Sequence, residues 1–154
     1  MNVKRVVLGG LLAGLFINVS EALLNGLVLM EDYQAMMADH GLTEASWAIP
    51  AYVTGGFVFG LALAWLYAAI RPRFGPGPKT GAIAGVLLFV VGYVVPGTWF
   101  ATMGLTLDAG MMVLALVWGL AELVAAGVIA GWIYREDAGQ HARPADAVSV
   151  AGVR

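Results

Sequence analysis

Of 154 residues, 60% are apolar and 12% are charged, against roughly 45–50% and about 25% in soluble domains. That balance excludes an ordinary soluble globule. A formal net charge of −2 without a long basic stretch excludes a nucleic-acid-binding or disordered chain, and the absence of cysteine removes disulfides, thiolate metal sites and cysteine nucleophiles.

Apolar runs of about 20 residues, the length that crosses ~30 Å of hydrocarbon, predict four spans at residues 6–30, 47–70, 80–101 and 109–134. Lys4 and Arg5 precede the first, and Glu31 and Asp32 follow it. Lys4-Arg5 and the apolar stretch behind them also suit a secretory signal. However, Asn18-Val19-Ser20-Glu21 is a poor cleavage site and hydrophobicity resumes to Met30, so a retained span is expected. Ser46 is placed to cap the second span and Arg71-Pro72 to stop it. Phe74-Gly75-Pro76-Gly77-Pro78 reads as a tight connector. Asp108 is a natural cap for the fourth span, and the mixed-charge segment 136–154 reads as a disordered cytoplasmic tail behind a domain at 1–135.

An even number of spans gathers all eight basic residues (Lys4, Arg5, Arg71, Arg73, Lys79, Arg135, Arg143 and Arg154) on one side. Glu31, Asp32, Asp39, Glu44 and Asp108 fall on the other. The positive-inside rule then predicts both termini in the cytoplasm of a cell (inner) membrane. Tyr33, Trp47 and Trp99 are placed near the outer interface, and Trp65, Tyr67, Trp132 and Tyr134 near the inner one.

Each span carries one GxxxG: Gly10/Gly14, Gly56/Gly60, Gly81/Gly85 and Gly127/Gly131. All four lie in the cytoplasmic half, where such glycines let backbones approach closely. Spans two and four also end alike, in Ala64-Trp65-Leu66-Tyr67 and Gly131-Trp132-Ile133-Tyr134. The pattern predicts an all-α integral membrane protein, a four-transmembrane-helix bundle built as a duplicated helical hairpin. Its inner half is tight, and any central site lies between spans one and three or two and four.

Charge inside a span costs about 2.5–3.5 kcal/mol on insertion scales, so an intramembrane acid marks a functional site by default. Two occur. Glu21 lies on a stripe with Gly14, Asn18 and Asn25, and Glu122 on a stripe of small residues, Ala115, Gly119 and Ala126. By helical rise they sit roughly 14 and 20 Å below the outer ends of their spans, close enough to share a proton, a water or a ligand. Tyr93, Thr98, Trp99 and a kink at Pro96 belong to the same outer half. Two readings of these polar groups stand: a solute or proton site, or interhelical clamps that fix register.

Six of the seven methionines fall near the outer boundary, with Met36 and Met37 close to His40, a weak thioether–imidazole set. Methionine also fills irregular gaps at helix ends, and no metal is assigned. No HExxH, phosphate loop or nucleophile elbow occurs, so no enzyme and no cofactor is expected.

From Gly10 to Leu42, a small-residue span with a polar position leads to Tyr33 and then Gly41-Leu42. In this the chain resembles small bacterial four-span membrane proteins grouped as domains of unknown function, over about residues 4–135. Tyr33 stands where that group carries tryptophan. The resemblance implies a bacterial inner-membrane protein and brings no activity with it.

The expectation is a protein embedded in the lipid bilayer, homo-oligomeric or bound to another membrane protein, that binds or passes a small solute, ion or proton at Glu21 and Glu122. The alternatives are a non-transporting assembly protein and a lipid- or quinone-binding module using Trp99 and Trp118.

Overall fold

The computed structural model describes residues 1–135; the segment 136–154, expected to be disordered, lies outside the described residues. Helix α1 (Val3–Leu23) runs into a π turn at Leu24–Val28 and is followed by α2 (Met30–Asp39) and α3 (Ala48–Phe74). Helix α4 (Pro78–Phe89) continues through a second π turn, Val90–Val94, into α5 (Val95–Thr102), and α6 (Ala109–Ile133) completes the described chain. Four stretches are long and apolar enough to cross a membrane: Val3–Val28, Ala48–Phe74, Pro78–Thr102 and Ala109–Ile133. The protein is an all-α four-helix bundle of a multi-pass membrane type.

The helix ends follow from local chemistry, with corrections to the sequence reading. The Asn2 side chain accepts from the Arg5 N–H at 3.2 Å, and Asp108 accepts from Gly110 and Met111 N–H at 2.7 and 3.3 Å. Ser46 does not cap α3. Trp47 holds that position with no side-chain bond. Arg71-Pro72 does not stop α3 either; Pro72 removes one bond in the last turn, and the helix ends at Gly75, whose φ of +84° favours glycine. The connector therefore shrinks, and Pro78 becomes the first residue of α4, where its missing N–H costs nothing. Span one ends earlier than expected, because the chain turns at Leu29 into α2, whose first turn carries Glu31 and Asp32 beside the positive helix terminus.

Packing is led by the pairs α1–α3 and α4–α6, with α6 also against α1 and α3. At the α1–α3 crossing, a Cβ on Gly10 would lie 2.8 Å from the Leu61 Cα, and one on Gly14 2.8 Å from the Phe57 Cα. At the α4–α6 crossing, a Cβ on Gly81 would lie 2.8 Å from the Gly127 carbonyl carbon, and Gly85 opposes Leu123 in the same way. Gly56 leaves room for the Asn18 amide and Gly60 opposes Gly10 and Gly14. One motif reads differently: Gly131 faces the Tyr67 ring rather than a backbone, so Gly127 plays the part in α6 that Gly60 plays in α3. Around the crossings lie Leu63, Ala64, Ala84, Leu123, Ala126 and Ala130, all fully buried. Toward the acidic end, Gly26, Gly55 and Gly97 face open space, so the bundle loosens there.

The matching aromatic endings are also used alike. Trp65 and Trp132 point outward, while Tyr67 and Tyr134 are buried with ring centroids 5.9 Å apart, edge to face. The Tyr67 hydroxyl accepts from the N–H of Gly77, the N-cap of α4, at 3.1 Å, and the Tyr134 hydroxyl accepts from the N–H of Asn2, the N-cap of α1, at 3.2 Å. Each hairpin's tyrosine thus closes the other hairpin's first helix.

Candidate functional site

Above the glycine crossings, three of the four spans bring polar side chains to one point. Glu21 leaves α1 one turn before its π turn, and Asn25 lies within that turn; the Asn25 amide donates to Glu21 Oε2. Tyr93 lies within the second π turn and donates its hydroxyl to Glu21 Oε1. The same hydroxyl stands 3.3 Å from Glu122 Oε1 on α6. Both π turns therefore carry a residue that touches Glu21, and such turns widen a helix and re-aim side chains, often at functional sites.

The Tyr93 ring is held on two sides. Phe89 stacks on it, centroids 5.7 Å apart, and Gly119 makes room on α6, where a Cβ would come within 2.7 Å of the ring. Beside the acids, the Trp118 indole N–H donates to Ser20 Oγ at 2.8 Å, tying α6 to α1. Glu122 is 3% exposed, and its Oε2 is buried with no hydrogen-bond partner among the described residues. The basic side chains lie at the opposite end. Lys4 precedes Glu21 by about 25 Å of helix and Arg135 follows Glu122 by about 20 Å, so no cation of the described residues faces either acid.

Of the expected residues, Glu21, Asn25, Tyr93 and Glu122 come together, with Trp118 at their flank. Asn18 does not join them: its amide donates to the Gly14 carbonyl at 2.9 Å and to the Val53 carbonyl at 3.2 Å, a clamp between α1 and α3. Trp99 is 67% exposed and stands apart. Pro96 falls in the first turn of α5, directly after the π turn, so the irregularity precedes the proline. Ser20 and Gly119 are not among the expected site residues, although a signal was there: Ser20 adjoins Glu21 in the sequence, and Gly119 lies on the small-residue stripe of Glu122.

Toward the acidic end, Tyr33 of α2 has its pKa raised above 10.0, first by burial and then by the charges of Glu21 and Tyr52. A cleft of about 210 Å³ there is lined by Asp32, Met36, Asp39, His40 and Asp108 among others. His40 turns back on its own helix, Nδ1 2.8 Å from the Met36 carbonyl oxygen, and no three His, Asp or Glu side chains are grouped as metal ligands among the described residues. Comparison with family models, curated proteins and solved structures finds no match to this chain.

Proposed function

We propose that the protein is a multi-pass protein of a bacterial inner membrane, with both termini cytoplasmic, whose Glu21–Tyr93–Glu122 cluster binds or passes a small solute, ion or proton. The carrying observation is two carboxyls meeting on one hydroxyl with no cation of the described residues beside them. Such a site is costly in a bilayer unless a proton or a bound cation offsets the charge. Asn18, bonded away from the cluster, acts as a clamp, whereas a clamp at Tyr93 needs only one acid. No enzymatic step is proposed.

The competing reading is an assembly protein in which the same bonds merely tie spans one, three and four. The lipid- or quinone-binding reading is disfavoured, because the Trp118 N–H is already taken by Ser20 and Trp99 lies outside the cluster. Glu21→Gln and Glu122→Gln, singly and together, separate the first two. Normal folding in detergent with proton or cation flux lost from liposomes supports the site. Absence of flux in the parent protein across protons and monovalent cations supports the clamp.

A further inference from the structure

We infer that Glu21, Tyr93 and Glu122 hold one acid proton among them and relay it through the Tyr93 hydroxyl, with Glu21 as the exchange end and Glu122 as the buried store. The inference rests on the reading above and names the proton as the solute.

Donor counting carries it. A phenol has one hydrogen to give, and an ionised carboxylate has none. Glu21 receives on both oxygens, from Asn25 and from Tyr93. With its hydrogen given to Glu21, Tyr93 presents only lone pairs toward Glu122 Oε1 at 3.3 Å. Two acceptors facing each other repel, so the hydrogen between them belongs to Glu122. That contact is longer than the usual 2.5–3.0 Å for O–H···O, which makes it the slack link of the chain. Burial points the same way: Glu122 is 3% exposed, its Oε2 has no hydrogen-bond partner among the described residues, and besides Tyr93 the neutral donor beside its carboxyl is the Ser20 hydroxyl, which is too little to offset a full negative charge.

The step balances without electrons. The O–H bond at Glu122 Oε1 breaks as one forms at the Tyr93 oxygen, while the former Tyr93 O–H breaks and one forms at Glu21 Oε1. The net result is one proton moved from Glu122 to Glu21, and the reverse step loads the store. Titratable groups facing the relay are Glu21 from α1, Tyr93 from the second π turn and Glu122 from α6. Tyr33 of α2 and Tyr52 of α3 lie beyond Glu21. No basic side chain of the described residues joins them. Glu21 is half-buried and continues through Asn25 toward the acidic end, whereas below Glu122 the glycine crossings bring backbones together, and the next buried polar side chains, Tyr67 and Thr80, are bonded to the Gly77 N–H and the Gly75 carbonyl. The relay therefore exchanges with one side only and ends blind in this conformation.

Infrared spectroscopy of the full chain in detergent at neutral pH reads the proton directly, because a protonated carboxyl has a carbonyl stretch that a carboxylate lacks. The parent protein is expected to show one such band per chain, absent in Glu122→Gln and kept in Glu21→Gln. Tyr93→Phe is expected to keep the band but slow its exchange into D2O on the order of a hundredfold, the scale of a lost proton-transfer group. Gly119→Ala, which pushes the ring aside without removing the hydroxyl, is expected to slow exchange as well. No protonated band in the parent, a band that follows Glu21 instead, or unchanged exchange in both folded variants overturns the relay. A band with no liposome flux supports the relay and sinks transport; flux with no band sinks the relay and leaves transport standing.

Discussion

Tyr33 sits just outside the first span, yet it senses Glu21 inside it. Burial first, then the charges of Glu21 and Tyr52, raise its pKa above 10.0, so the folded state keeps the phenol neutral after the unfolded chain has begun to ionise. Its contribution to stability is complete below pH 10 and is lost as pH rises through the folded-state value. A difference absorbance titration of the parent against Tyr33→Phe is expected to show that tyrosine ionising later than 10.0, and the variant is expected to lose less stability between pH 9 and 12. The acids themselves were legible, because any carboxyl in an apolar run stands out. Which neighbour joined them was not. Asn18 and Asn25 share a stripe with Glu21, but a stripe is wide enough to face two helices, and Asn18 turns to the Val53 carbonyl of α3 while Asn25 turns to Glu21.

Among the elements, glycine position decides what a methyl group does. At Gly60 and Gly127 a Cβ would meet the carbonyl oxygens of Gly10 and Gly81, which are backbone atoms with no rotamer to yield. Gly60→Ala and Gly127→Ala are therefore expected to destabilise by about 1–3 kcal/mol, the usual range for overpacking. Gly55 and Gly97 meet nothing within 4 Å. Their alanine variants are expected to be neutral or to gain up to about 1 kcal/mol from reduced backbone freedom. Unfolding in mixed micelles against a rising fraction of denaturing detergent measures both sets. Four spans and their close-packed half were readable from hydropathy and spacing, because lipid crossing fixes length and close backbones demand glycine. The first π turn was not readable, since an added residue within an apolar helix leaves no mark in composition, whereas the second falls in the turn before Pro96, where a kink is expected. Helix α2 was missed because a polar surface helix has no membrane-length pattern, and the end of α3 was misplaced because Pro72 falls in a final turn that tolerates it.

At the scale of the whole molecule, the described basic residues occupy one end of the bundle, and Glu31, Asp32, Asp39, Glu44 and Asp108 the other. If the basic end faces the cytoplasm, as the positive-inside rule requires, reporter fusions after Arg73 and after Arg135 are both expected to read cytoplasmic; a reading from the far side at either position overturns that orientation. The repeated pairing was legible in the glycines and aromatic endings, but not the one-turn offset that puts Gly127 opposite Gly81 and Gly131 against Tyr67. That offset depends on how the two hairpins sit against each other, which no local pattern records.

The exchanged tyrosines also impose an order in time. Tyr67 is made ten residues before its partner Gly77, so the second hairpin's first helix has its cap waiting when it emerges. Asn2 is made 132 residues before Tyr134. The first helix must therefore enter the bilayer before its bond to Tyr134 can form, and the hairpin it belongs to can pair through its glycines long before that tyrosine is made. The last bond between the two ends thus waits on completion of the fourth span, and a ribosome-bound chain halted short of Tyr134 would be inserted and half packed without it.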